Sequence, residues 1–266
     1  MSGYFDFKPG KEMEWLELNL LFSNRPLSKA LLIELSGENE EAVDGWLTKL
    51  EWRAKLYITP PYQVMENRII PVRSWRDIPE YLLCVYYSFH GAGDATDGTK
   101  LFEDISAMAL KNFINGDVYA LGFPSGKGLN VFLDEIAALC YEERMIRANG
   151  SYKDDGVDVV GLKNFGDQRS ASLYVLLQCA AGQNWTQKKK IELNRWTNYV
   201  RWYPENIILS ISTVDYVEHK DWDKHSSSFG MLMDRLRIYN SLYLSDVRAD
   251  LRTNLLTWCN TALGLN

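Results

Sequence analysis

Polar side chains lie at the edges of two short apolar runs in the middle of the chain. Asp158 stands in the run 156–162, and Gln178 comes near the end of the run 172–179. Short runs of β-branched and aliphatic residues predict buried strands. Carboxylate and amide oxygens are ligands that hard divalent cations accept, and a nearby lysine can orient or activate a water molecule. Asp158 and Gln178, joined by a lysine, therefore predict a magnesium-dependent phosphodiesterase site.

This pattern resembles the PD-(D/E)XK nuclease superfamily, and more closely its restriction-enzyme-like branch in which the second motif begins with Gln. Residues 156–158 (Gly-Val-Asp) match the first motif, and residues 178–180 (Gln-Cys-Ala) match the second. The family has lysine two residues after the Gln, where this chain has Ala180. In related sequences of the Gln-Cys-x-x-Gly-x-Asn-Trp type, the basic residue comes from the helix that follows. The resemblance thus implies that Lys188 supplies the missing ammonium group.

The superfamily also places a glutamate on a helix ahead of the first motif. Apolar residues of the segment 98–114 recur near a 3.6-residue period, which predicts an amphipathic helix with Glu103 beside its apolar stripe. Glu103 is therefore the first choice for this role. Glu142 and Glu143, closer in sequence to Asp158, are the alternatives.

The resemblance implies in-line hydrolysis of a DNA phosphodiester. Asp158, Glu103 and the amide oxygen of Gln178 would hold Mg²⁺ or Mn²⁺, and Lys188 would orient the attacking water. Compact nucleases of this branch occur in bacterial defence against phage, which implies a DNA endonuclease effector with a partner such as an ATPase, helicase or sensor subunit. The alternatives are a non-catalytic nucleic-acid-binding or scaffold subunit of the same fold, and an unrelated assembly protein.

The overall charge argues against strong DNA binding by the chain alone. Its net charge is −6, whereas phosphate neutralisation by basic residues supplies most non-specific affinity. Positive charge is nevertheless concentrated after the second motif, where Lys189, Lys190 and Arg195 stand among aromatic residues and predict a DNA-contacting helix. The other interpretation is a surface helix whose aromatic side chains enter the core while its lysines are only solvated. Weak intrinsic affinity favours an effector that a partner loads or activates.

Composition sets the remaining bounds. The 266 residues are 46% hydrophobic, enough for a full core, and the pattern predicts neither a membrane span nor a secretory signal, so we expect a cytoplasmic protein. The cysteines are far apart, which predicts small core residues in a reducing compartment rather than zinc ligands or disulfides. A homo-oligomer is left open.

The order of predicted elements indicates an α/β protein with a restriction-endonuclease-like mixed central sheet flanked by helices. We predict a small helical region at 1–80, for docking or as a lid, with a loop at 56–80. A nuclease domain at 81–266 follows, in which the glycine-rich stretch 122–128 lacks the spacing of a phosphate-binding loop. Asp234, Arg235 and Arg237 either line the DNA channel or pair on the surface, and we expect the surface pairing. The predicted helices of this domain are 98–114, 130–147 and 185–199, and its strands are 156–162, 172–179 and 207–214.

Overall fold

The computed structural model describes residues 4–93, 97–121, 128–203, 207–243 and 247–265. The chain forms two compact units, Met1–Gly98 with Asp246–Asn266, and Thr99–Ser245. The boundary predicted at residue 80 lies inside the first unit, because the helix Pro79–His90 packs against the N-terminal helix and against the helix Ala249–Ala262. None of the helices in the described ranges is long and apolar enough to cross a membrane.

The first unit pairs a helix-turn-helix with a small antiparallel sheet. Gly37, with φ 72°, ends one helix, and Asn39 begins the next by accepting a hydrogen bond from the backbone N–H of Ala42 at 2.9 Å. The helical pattern predicted at 11–55 is confirmed. The elements are α1 (Glu12–Ser23), β1 (Leu27–Ser28), α2 (Lys29–Ser36), α3 (Glu40–Ala54), β2 (Tyr62–Met65), β3 (Arg68–Pro71) and α4 (Pro79–His90), with strand order β1-β3-β2.

The loop predicted at 56–80 is wrong, because this segment contains the β2–β3 hairpin. Pro61 and Pro71 stand at the open end of the hairpin, where they do not interrupt the ladder, and Glu66 adopts φ 53° in its turn. The strands have only four residues each, too few to give a clear alternation of polar and apolar residues.

Two buried glutamates of the first unit differ in their surroundings. Glu17 accepts hydrogen bonds from the hydroxyls of Tyr81 at 2.9 Å and Tyr62 at 3.2 Å, and lies 3.4 Å from the guanidinium of Arg53. Glu80, at the start of α4, is 7% exposed, and its Oε2 has no hydrogen-bond partner among the described residues. Burial, only partly opposed by its own backbone N–H and by distant arginines, raises the pKa of Glu80 to about 7.

The second unit is built on a mixed five-stranded sheet with strand order β10-β9-β7-β6-β4. Strands β4, β6 and β7 are antiparallel neighbours, whereas β7, β9 and β10 are parallel. The α/β class with a mixed central sheet flanked by helices is therefore confirmed. The elements are α5 (Gly98–Ile114), β4 (Asp117–Ala120), α6 (Leu129–Cys140), β5 (Glu143–Arg144), β6 (Val159–Lys163), β7 (Leu173–Ala180), a 3₁₀ turn (Trp185–Gln187), α7 (Leu193–Tyr199), β8 (Val200–Arg201), β9 (Ile208–Thr213), α8 (His219–Phe229), β10 (Met231–Met233) and α9 (Arg235–Tyr243), and α10 (Ala249–Ala262) closes the first unit.

The two faces of the sheet are covered by different helices. Tyr174 and Leu176 of β7 belong to an apolar cluster with residues of α6 and α7. The opposite face packs on α5, since a Cβ on Gly161 would lie 3.0 Å from Cδ2 of Leu110. Because side chains alternate along a strand, Cys179 shares the α5 face while Gln178 shares the other.

Several local predictions were wrong, either in where a helix ends or in whether a side chain is buried. The helix predicted at 130–147 ends at Cys140, because Tyr141 adopts φ 56°. The segment 185–199 is a 3₁₀ turn followed by the short helix α7, not one helix. Asp234 and Arg235 are buried rather than paired on the surface, as Asp234 accepts from the backbone N–H groups of Val217 and Arg237. Most of the glycine-rich stretch lies outside the described residues.

The buried Glu80 predicts a pH-dependent stability. Its pKa is higher in the folded chain than in the unfolded one, so the folded state loses stability as pH rises from about 4.5 to about 7. Above pH 7, the free energy of unfolding of Glu80→Gln should therefore exceed that of the parent by up to about 3 kcal/mol. Below pH 4.5, the two free energies should be equal. Glu34→Gln, at an exposed position of α2, is the control and should leave the free energy of unfolding unchanged in both pH ranges. Equal urea midpoints of Glu80→Gln and parent at both pH values would contradict the prediction.

Candidate active site

Asp158 is held at the end of the sheet by backbone groups. Its N–H donates to the carbonyl oxygen of Leu177 at 2.9 Å, and its Oδ2 accepts from the N–H of Cys179 at 2.6 Å. The preceding residues form a tight turn in which Asp154 Oδ1 accepts from the N–H of Gly156 at 2.8 Å. The Asp-Asp-Gly sequence is thus a turn, as its composition suggests, and the turn delivers Asp158 to the strand end.

Lys188 reaches the same strand end from the segment that follows β7. Trp185 anchors this segment, since it is buried and its indole N–H donates to Asp215 Oδ2 at 2.9 Å. Lys188 ends the 3₁₀ turn, and its Nζ donates to the carbonyl oxygen of Cys179 at 2.7 Å. The carboxylate of Asp158 and the ammonium of Lys188 are therefore held by the N–H and C=O of one residue.

Ala180, the position at which the resemblance to PD-(D/E)XK nucleases implies a lysine, is closed to a charged side chain. Ala180 is 1% exposed and belongs to an apolar cluster. A lysine there would bury its ammonium among apolar groups, at a large desolvation cost. Lys188 brings an ammonium to the strand end without that cost. The other buried members of the cluster are Trp185, Ile211, Val217, Phe229 and Leu232.

Glu103 lies near Asp158 and carries a perturbed carboxyl group. Burial, reinforced by the negative charge of Asp158, raises the pKa of Glu103. The pKa of Asp158 is also raised by burial, while the N–H of Cys179 and the charge of Lys188 act against that rise. Lys100 completes the cluster, with Nζ 3.2 Å from Oε2 of Glu103 and 3.2 Å from Oδ1 of Asp104.

Gln178 is oriented differently from the other predicted site residues. It lies on the face of β7 opposite α5, and its Nε2 is 3.6 Å from where a Cβ on Gly156 would stand. Its side chain is 7% exposed and lines a cavity of about 70 Å³ together with Lys190 and Phe229. The structure thus brings Glu103, Asp158 and Lys188 together and places the side chain of Gln178 beneath the Asp158 turn, on the other side of the sheet.

The two alternative glutamates have structural contacts elsewhere. Glu142 is buried, and its Oε1 accepts from the hydroxyl of Tyr174 at 2.6 Å and from the N–H of Ala171 at 2.9 Å. Glu143 lies at the surface, 3.5 Å from Arg201. Neither is positioned as Glu103 is.

The basic aromatic segment corresponds to the second of the two interpretations of its sequence. Its aromatic residues are buried, whereas Lys189 is exposed and lies 2.6 Å from Glu192. Lys190 is exposed as well. Arg195 forms ion pairs with Asp155 and Glu192, so its guanidinium is already paired with carboxylates of the chain. The buried aromatic residues are Trp185, Trp196, Tyr199 and Trp202.

Asp155 is a positioning residue that the sequence pattern did not reveal. It adopts φ 47° in the turn before Asp158, and its carboxylate accepts from Arg195 and from the hydroxyl of Tyr199 at 3.0 Å. Its carbonyl oxygen accepts from the indole N–H of Trp196 at 3.2 Å. Helix α7 thus anchors the turn that carries Asp158. Lys100 was also missed, although its spacing from Glu103 and Asp104 is that of helix-surface pairs.

The chemistry of this cluster suits a hard divalent cation. Glu103 and Asp158 supply carboxylate oxygens, and the negative charge of Asp158 is close enough to raise the pKa of Glu103, an effect that a bound cation would oppose. Within the described ranges, no group of three or more His, Cys, Asp or Glu side chains is arranged as a metal site. Burial and the charge of Asp158 raise the pKa of the Cys179 thiol, which makes it a poor nucleophile.

No family model, curated protein or solved structure matches this chain. The class of the protein is therefore inferred from the fold and from the groups gathered at the end of β7.

The anchoring of Asp155 by α7 predicts a clear loss of stability on its removal. Asp155→Ala should lower the free energy of unfolding by about 2 kcal/mol, because the substitution deletes a carboxylate that is 7% exposed and that accepts from Arg195 and from the hydroxyl of Tyr199. The measurement is urea unfolding at neutral pH. Lys189→Ala, at an exposed position of the same region, is the control and should stay within about 0.5 kcal/mol. Similar values for the two variants would mean that α7 does not support the turn.

Proposed function

We propose that the second unit is a metal-dependent nuclease that hydrolyses phosphodiesters of DNA. One observation carries the proposal: the backbone of Cys179 holds the carboxylate of Asp158 at 2.6 Å on its N–H and the ammonium of Lys188 at 2.7 Å on its C=O. Glu103 stands close enough for the charge of Asp158 to raise its pKa. Two carboxylates and a lysine at one strand end are the groups that the PD-(D/E)XK resemblance implies.

Each group has a separate task in this proposal. Glu103 and Asp158 would hold Mg²⁺ or Mn²⁺, which when bound polarises the phosphate and lowers the pKa of a bound water. Lys188 would orient the attacking water or stabilise the charge that develops on the phosphate oxygens. Gln178, below the turn, would support the position of Asp158 through the loop at Gly156 and is not proposed as a metal ligand.

The acidic charge of the chain makes a partner part of the proposal. A net charge of −6 gives little non-specific attraction to phosphate, and Arg195 is already paired with carboxylates. We therefore propose an effector of a bacterial defence system that a partner protein, such as an ATPase, helicase or sensor subunit, loads onto DNA. The cytoplasm is the compartment that this role requires.

A second candidate is a nuclease fold that binds nucleic acid without cleaving it. It is favoured by Ala180 in place of the family lysine and by the orientation of Gln178 away from Glu103. The two candidates differ in one assay. Supercoiled plasmid, single-stranded DNA and RNA are incubated with the full chain in Mg²⁺, in Mn²⁺ and in EDTA, with and without the product of a neighbouring gene. Metal-dependent cleavage supports the first candidate, and retention of DNA without cleavage supports the second.

Asp158→Asn should abolish metal-dependent cleavage while leaving the fold intact. The amide keeps an oxygen that can accept from the N–H of Cys179, but it lacks the negative charge that a cation requires, so a loss of about 10²-fold or more is expected. Plasmid cleavage measures the loss, and thermal unfolding checks the fold. Asp154→Asn is the control in the same turn and should retain most activity. Cleavage by Asp158→Asn at the parent rate, with an unchanged melting temperature, would remove Asp158 from the site.

Lys188 and Lys190 separate catalysis from binding. Lys188→Ala should lower cleavage by about 10²-fold or more, as loss of a positioned charge stabiliser does. The side chain of Lys190 is exposed, and the bond to Cys179 comes from Lys188. Lys190→Ala should therefore change only the dependence of cleavage on salt. Cleavage rates over a salt series distinguish the two effects. If both variants lose activity mildly and in the same salt-dependent way, the segment is a binding face and the second candidate is preferred.

A further inference from the structure

The outward face of α3 in the first unit is not covered by the described part of the chain. The inward face buries Val43, Trp46, Leu47, Leu50 and Arg53. The residues between them point outward at helical spacing, and Trp52, 57% exposed, is the largest of them. Trp52 is the one large apolar side chain among the exposed residues of this face, and aromatic side chains are enriched at protein interfaces. The exposed residues of this face are Glu41, Asp44, Gly45, Thr48, Lys49, Trp52 and Lys55.

Gly45 at the centre of this face is not explained by packing within the chain. Glycine in a helix interior costs about 1 kcal/mol relative to alanine. It is usually explained by a close neighbour, but a Cβ at Gly45 would meet nothing within 4 Å. A close approach by the backbone of another molecule would account for glycine at this position.

Two charges of the face, Glu41 and Lys49, are placed symmetrically about Gly45. Glu41 lies one helical turn before it and Lys49 one turn after it, and neither makes an ion pair among the described residues. If two copies of α3 cross in antiparallel orientation at Gly45, each Glu41 faces the Lys49 of the other copy. A two-fold axis makes such a surface self-complementary.

The same charges argue against the DNA contact that helix-turn-helix units often make. In that mode the first residues of the second helix face the bases and phosphates of the major groove. Here those residues are Glu40 and Glu41, with Asp44 one turn on, and Lys29 is already paired with Glu40 and Asp44 at 2.6 and 2.7 Å. Like charges would repel the duplex.

We propose that the chain forms a homodimer through α3, with the two helices antiparallel and crossing at Gly45. Reciprocal Glu41–Lys49 pairs flank the crossing, and Trp52 is buried against the first turn of the partner's α3. The small residues Gly45 and Thr48 let the two backbones approach. This inference uses the first unit alone and does not depend on nuclease activity.

The test is sedimentation of the full chain, from low micromolar to several hundred micromolar, at low salt. The parent should show a monomer–dimer equilibrium. Glu41→Lys and Lys49→Glu should each raise the dimer Kd about tenfold, because each removes both reciprocal pairs and creates repulsion. The double variant Glu41→Lys/Lys49→Glu re-forms the pairs in reverse and should restore the dimer. Glu34→Lys, the same charge change on α2, should have no effect.

Gly45→Leu provides a readout that misfolding cannot imitate. It should raise the thermal midpoint of the monomer, since leucine favours the helix more than glycine does, while it abolishes the dimer by blocking the crossing. A parent that remains monomeric at every concentration would overturn the proposal. So would a dimer indifferent to Gly45→Leu, or a double variant no better than the single ones. DNA binding that Lys49→Glu removes and Glu41→Lys strengthens would assign the face to nucleic acid instead.

Discussion

The main chain of Cys179 is the constraint on which the candidate site depends. Cys179 lies beyond Leu177, the last residue of β7 that pairs with β6, and its N–H and C=O each bind one charged side chain. Strand β7 is paired with β6 as far as Leu177 and with β9 as far as Ala180, so its end is held by the ladder with β9. Charge-assisted bonds to fixed backbone groups are short and directional. The opposite charges of Asp158 and Lys188 are thus positioned by the sheet rather than by mobile side chains.

The burial around this strand end explains the electrostatics of the site. Taking carboxylates out of water raises their pKa values, and placing a second one nearby raises them further. Lys100 and Lys188 limit that effect for Asp158. The site therefore has more negative charge than its buried setting favours, with lysines close by but on the flanks. The network around Glu17 differs, because hydroxyls and a guanidinium there already satisfy the carboxylate.

Much of the architecture follows from local patterns in the sequence, and the rest depends on contacts that are distant along the chain. The helix carrying Glu103 and the strands β6, β7 and β9 have strong periodic or apolar signals, and they were predicted. The strands β4 and β10 are four and three residues long and leave no such signal.

The candidate site shows the same division between local and distant information. Asp158 was chosen from a local motif, but the face that Gln178 occupies is fixed by its register with Ile211 of β9. The reach of Lys188 depends on the burial of Trp185, and the structural role of Arg195 depends on Asp155, which is 40 residues away in sequence. Local propensity and residue spacing do not predict these contacts between residues that are far apart in the sequence.

The segment from Trp185 to Tyr199 has a consequence for how the site is lost. Near its beginning this segment supplies the ammonium of Lys188, and at its end it supplies the side chains that hold the turn at Asp155. Local opening of this one stretch would free the ammonium of Lys188 and remove the side chains that support the turn at Asp155, with a free energy smaller than that of global unfolding. The bonds of Asp158 to the backbone of β7 would remain. The carboxylate therefore keeps its hold on the sheet, whereas the ammonium reaches the sheet only while the segment is closed.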